Sequence, residues 1–151
     1  MKIAMWSGPR NLSTAMMYAF ASRADCAVWD EPFYAAYLSA TGIDHPMTAE
    51  VIAAGQTDPA RVAAACLGPN PDGKAHWYQK HMTLHMIPAF DRGFLRGLTN
   101  AFLIRHPARV IASYARKREA PTLDDIGFVQ QAQLFDQVAD LIGQASPVIA
   151  A

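Results

Sequence analysis

Two short polar segments carry the residue types that bind oxyanions. The first, Ser7-Gly8-Pro9-Arg10-Asn11-Leu12-Ser13-Thr14, follows an apolar run at Lys2 to Trp6 and opens a stretch with apolar residues at helical spacing, Leu12 to Arg23. A tight turn into a helix leaves the first backbone N–H groups unpaired. Those groups, with hydroxyls at Ser13 and Thr14 and a cation at Arg10, suit a phosphate. The segment is not a Walker A loop: Leu12, Ser13 and Thr14 stand where Gly-Lys-Ser/Thr would, which disfavours ordinary ATP or GTP hydrolysis. The second segment, Arg105-His106-Pro107, ends the apolar run Ala101 to Arg105, and Ser113 follows eight residues after Arg105, about two helical turns on. Such a pair could hold a second phosphate, the Arg by charge and fork geometry and the Ser by one hydrogen bond. Plainer readings stand beside both. Asn11 could be the N-cap of an ordinary helix, Arg105 could pair with Asp30 or Glu31, and Ser113 could bond its own helix backbone.

Short apolar runs alternating with helical patterns must position these groups. Strands are expected at Lys2 to Trp6, Ala27 to Trp29, Ala75 to Lys80, Ala101 to Arg105 and Pro147 to Ala150. Helices are expected at Leu12 to Arg23, Phe33 to Ala40, Pro59 to Leu67 behind the N-cap Asp58, Pro107 to Arg118, and Leu123 to Gly143 with Asp124 and Asp125 in its first turn. Thr41 to Thr57 reads as irregular, with Gly42, Pro46 and Gly55 as breakers. The alternation argues for an α/β fold with a three-layer parallel sheet. In such a sheet ligands bind beyond the carboxyl ends of the strands, where both polar segments fall.

Composition narrows the classes. The chain has 151 residues, enough for one domain with its own core, and 52% hydrophobic and 17% charged residues, a globular balance. Thirteen basic residues match thirteen acidic ones, which argues against a general electrostatic grip on nucleic acid or an anionic membrane. Cys26 and Cys66 fit neither a metal motif nor a disulfide framework and read as buried thiols in a reducing compartment. No stretch has the length of a membrane span, and the first apolar run is too short for a signal-peptide core, so a cytoplasmic protein is expected.

The loop Pro-Arg-Asn-Leu-Ser-Thr resembles the PRSGST or PKSGTT loop of the sulfotransferases, and RHPARVIASY resembles their R-x-P-x-x-x-x-x-S-Y segment. The runs WSGPRNLSTAMM, DEPFYAAYL, WYQKHM and AFLIRHPARVIASYARKREA extend that resemblance over nearly the whole chain. It implies a fold of the P-loop nucleoside triphosphate hydrolase type and 3′-phosphoadenosine 5′-phosphosulfate as sulfuryl donor, with no metal. Carried over by position, Arg10, Asn11, Ser13 and Thr14 would bind the donor's 5′ end, and Arg105 and Ser113 its 3′-phosphate. Leu12 departs from the pattern, since a glycine is usual there. Members of the family usually continue past the fifth strand with a basic loop, so the resemblance also implies a single domain over residues 1–151 that lacks its C-terminal segment. Phe128, Leu134, Phe135 and Leu141 are then expected to be partly exposed, favouring a homo-oligomer.

A small-molecule hydroxyl or amine accepting the sulfuryl group must lose a proton, so a general base is needed. Glu31 follows the second strand and is the first candidate; His81, after the third, is the second. Their plainer roles are an ion pair of Glu31 with Arg10 or Arg105, and a partly buried His81 at a strand end. His81 and His85 lie four apart, but no acid stands between them as in H-E-x-x-H, so a metal site is rejected. Met47, Trp77, Tyr78 and Met82 could line an acceptor pocket, although such residues more often form core. Arg116, Lys117 and Arg118 read as a solvated helix end. Two other functions fit the same residues: a nucleotide-binding module without catalysis, and a small-molecule phosphotransferase, which would want a P-loop Lys and a magnesium-binding acid.

Overall fold

A computed structural model describes residues 1–116 and 122–151. Its centre is β1 (Lys2–Ser7), whose apolar run Ile3 to Trp6 is buried on both faces, as expected of a strand inside a parallel sheet. On one side lie β3 (His76–Met82) and then β2 (Cys26–Asp30); on the other lie β4 (Thr99–Ile104) and then β5 (Val148–Ala150). All four pairings are parallel. Register sets Trp6 beside His81 and Ser7 beside both Met82 and Leu103, so the ends of β1, β3 and β4 share one edge. The chain runs from β1 to one flank and returns across it to β4, which puts the reversal of strand order at that edge.

Alternation along β1 builds the two helical layers. Ile3 and Met5 meet Met17 of α1 (Ser13–Ala21) and Tyr78. Ala4 and Trp6 face the opposite way, into a larger core with Val62 and Cys66 of α4 (Pro59–Leu67) and Leu134 and Val138 of α7 (Phe128–Ile142). Trp77 and Tyr78 are core residues, whereas Met47 is exposed. The Cys66 thiol, pushed up to about 12 by burial, is inert. Asp58 caps α4, accepting from the N–H groups of Ala60 at 2.9 Å and Arg61 at 3.4 Å. α5 (Pro107–Ala115) starts with Pro107 and is capped by His106, whose Nδ1 accepts from Ala108 N–H at 3.3 Å.

Three expectations need correction. The segment 41–57 is not irregular: between α2 (Tyr34–Thr41) and α4 it forms α3 (Thr48–Ala54). Gly42 and Gly55 do break the helical runs, as the C-caps at which α2 and α3 end. The helix expected over Leu123 to Gly143 is divided at Gly127, which has φ +72°, into α6 (Leu123–Ile126) and α7. Among the four apolar residues expected to be partly exposed, Leu134 is buried in the core, while Phe128, Phe135 and Leu141 are half-buried. Arg116 is exposed beyond α5; Lys117 and Arg118 lie outside the described residues. No described helix is long and apolar enough to cross a membrane.

Candidate functional site

The loop from Gly8 to Leu12 leaves β1 and enters α1 under backbone constraint. Arg10 and Leu12 both have left-handed backbones, φ +63° and +62°. For residues other than glycine each costs on the order of 1–3 kcal/mol. Leu12 therefore occupies the conformation that the usual glycine adopts freely, and its side chain remains half-exposed. Leu12, not Asn11, is the N-cap residue of α1. The fully buried Asn11 side chain instead donates from Nδ2 to the carbonyls of Gly8 at 2.9 Å and Pro9 at 3.3 Å, so it shapes the loop from inside.

Gln131, on α7, locks this loop. Its Oε1 accepts from Gly8 N–H at 3.1 Å, and its Nε2 donates to the Leu103 carbonyl at the end of β4, 2.9 Å away. A Cβ on Gly8 would stand 2.9 Å from the Ile126 carbonyl, and one on Gly127 3.3 Å from Pro9. The break between α6 and α7 thus lets the loop seat against them. The sequence reading missed Gln131. A signal was present: it shares the i, i+3, i+7 stripe with buried Leu134 and Val138, and a polar residue in a core stripe needs a partner.

Arg10, Leu12, Ser13, Thr14, Arg105 and Ser113 line one cavity of about 260 Å³. The two anion sites expected from sequence are contiguous: Arg10 Nε donates to Ser113 Oγ at 2.9 Å, and Arg105 Nη1 donates to the Arg10 carbonyl at 3.2 Å. Ser113 thus receives Arg10 rather than serving its own helix. Neither guanidinium forms an ion pair with a described carboxylate. Two unneutralised cations beside a helix N-terminus and two hydroxyls fit an oxyanion ligand. Asn11 does not line this cavity.

Asp30 and Glu31, possible partners for the arginines, bind Lys80 instead. Its Nζ lies 2.7 Å from Asp30 Oδ1 and also contacts Glu31 Oε1. Burial alone would lower the Lys80 pKa, but the hydrogen bonds and charges of the two carboxylates hold it above the ordinary lysine value. Glu31 itself has φ +47°. It lines a second cavity, about 740 Å³, that adjoins the loop at Pro9 and also includes Tyr34, His85, Arg92 and Gln130. Met82 lines it too; Trp77 and Tyr78 do not.

His81 does not line this cavity. Its ring is 1% exposed and stacks on Trp6 at 4.4 Å, with Nε2 3.3 Å from Gln79 Oε1. Burial, helped by nearby His85, pushes its pKa down to about 3. His81 is therefore a sealed core residue, not a partly buried ring at a strand end. His85 lies between Tyr34 and Tyr37, each 4.9 Å away, and is held near 3 by burial, with Lys80 and His45 contributing. Among the described residues no group of three or more His, Cys, Asp or Glu is placed to hold a metal ion.

A five-stranded parallel α/β sheet flanked by helices, with a cationic loop after its central strand and an Arg just past the end of the neighbouring strand, is an architecture of the P-loop-like kind. The sulfotransferase domain matches residues 1–148, and the chain belongs to that sulfotransferase family. It is also similar to two Arabidopsis thaliana proteins, branched-chain-amino-acid aminotransferase-like protein 2 at 29% identity and protein 1 at 30%, each over 136 residues. The match takes in 90% of this chain and 24% of each plant protein, so the chain spans about a quarter of the length of these curated relatives.

Proposed function

We propose that this protein transfers a sulfuryl group from 3′-phosphoadenosine 5′-phosphosulfate to a hydroxyl or amine of a small molecule. The observation that carries the reading is the meeting of Arg10, Ser13, Thr14, Arg105 and Ser113 around one cavity with no described carboxylate in an ion pair with its arginines. The loop and α1 N-terminus would hold the phosphosulfate end, and Arg105 with Ser113 the 3′-phosphate. The larger cavity beyond Pro9 would take the acceptor.

In this mechanism the acceptor oxygen or nitrogen forms a bond to sulfur as the bond from sulfur to the bridging oxygen breaks. Arg10 and the N–H groups at the start of α1 stabilise the charge on the leaving oxygen. Glu31, which lines the acceptor cavity, takes the acceptor's proton; sealed His81 has no path to it. The aminotransferase in the plant proteins' names gives no second reading, since the match occupies about a quarter of each of them.

The test is a thermal-shift comparison. Adenosine 3′,5′-bisphosphate should stabilise the protein more than AMP, and Arg105→Ala should erase most of the difference. Equal shifts for both nucleotides would refute the donor assignment. A larger shift with ATP and magnesium would favour a phosphotransferase, and bisphosphate binding without turnover on any acceptor would favour a non-catalytic module.

A further inference from the structure

The 740 Å³ cavity collects polar groups that the protein leaves unsatisfied. Among the described residues, three buried side-chain atoms without a hydrogen-bond partner belong to residues lining it: His85 Nδ1, Arg92 Nε and Gln130 Oε1. An orphaned buried donor or acceptor costs about 1–3 kcal/mol, so the walls of this cavity hold polar side chains that the described protein groups do not fully satisfy.

Arg92 decides the ligand's charge. Its Nη2 donates to the Met86 carbonyl at 2.7 Å, and it forms no ion pair with a described carboxylate. Burial lowers its pKa, the sign of a cation short of compensation. The acids of the same lining are otherwise engaged: Glu31 with Lys80, Asp125 in the capping box with Thr122, and Asp124 as acceptor from Gln130 Nε2 at 3.4 Å. The same lining also includes the apolar and aromatic side chains Tyr34, Met82, Leu84 and Ile87.

We infer that the acceptor is an apolar-bodied molecule carrying an acid group, and that Arg92 pairs with that group as a specificity-determining residue. This rests on the reading of the larger cavity as the acceptor side. An anionic oxygen would satisfy Arg92 through a charge-assisted bond, the kind for which a guanidinium fork is suited.

Calorimetry with three ring-matched probes tests it: 4-hydroxyphenylacetate, its neutral amide 4-hydroxyphenylacetamide, and the cation tyramine. The acetate should bind at least about tenfold tighter than the amide, as expected for a hydrogen bond to a charged group, and tyramine weakest. Arg92→Gln should remove the acetate's advantage while leaving adenosine 3′,5′-bisphosphate binding as in the unaltered protein. If Arg92→Gln fails to bind the bisphosphate because it does not fold, Arg92→Lys takes its place, and loss of the fork should cut the advantage severalfold. Equal affinity for acetate and amide, no acetate binding up to about 10 mM, or an undiminished preference in the folded Arg92 variant would each overturn the inference. The bisphosphate arm reads the donor site alone, so failure there counts against the proposed function and failure of the phenol arm against the acceptor class.

Discussion

Lowering the pH from about 7 to about 5 should destabilise the protein mainly through two imidazoles. His81 and His85 are both held near 3 in the folded state, against 6.5 for an ordinary histidine. Because the folded value lies below the unfolded one, the unfolded chain binds more protons between those limits. Stability is therefore full above about pH 6.5 and declines as pH falls toward 3. Linkage gives a loss of about 2 kcal/mol per imidazole over this interval, or about 4 kcal/mol for both. Urea unfolding at a series of pH values measures it directly. His81→Phe keeps an aromatic ring against Trp6 and removes one titrating group, so its pH-dependent loss should be about half as large. Comparing slopes removes the constant cost of losing the Gln79 contact. Identical slopes in the two proteins would refute the reasoning. They would mean that His81 takes up a proton as easily folded as unfolded, that water reaches it, and that it returns as a candidate base.

Two further outcomes concern the site. Glu31→Gln should leave bisphosphate affinity nearly intact and slow sulfuryl transfer about a hundredfold or more; turnover at the normal rate would assign the proton to another group or to the acceptor itself. Gln131→Met retains bulk but leaves Gly8 N–H and the Leu103 carbonyl without its amide, each costing about 1–3 kcal/mol. It should lower unfolding stability by at least about 2 kcal/mol and weaken bisphosphate binding; a loss below about 1 kcal/mol would show that the loop is held elsewhere.

The positions of the strands, the parallel alternation and the two polar segments whose Arg10, Ser13, Thr14, Arg105 and Ser113 line one cavity were legible in the amino-acid order. They depend on local patterns: a buried apolar run, a turn, then a helix start or a strand end. Local pattern also located α4 and α5 through Asp58, Pro59 and Pro107. It misled wherever a residue's role depends on what lies opposite. Gly127 reads as a tolerated glycine inside a helix until Pro9 is seen packed on it. Asn11 reads as a cap until its amide is found under the loop. His81 and His85 look alike as residues after a strand; alternation turns the His81 ring onto Trp6, and the short helical turn beyond β3 brings His85 into a cavity. The partner of Glu31 was a matter of tertiary geometry, because β2 and β3 pair with Asp30 opposite Lys80 and so deliver the cation locally, in place of Arg10 or Arg105. Gln131 joins atoms 123 and 28 residues away in sequence. No window along the chain contains such a bond: it exists only once α7 has been folded across the ends of β1 and β4.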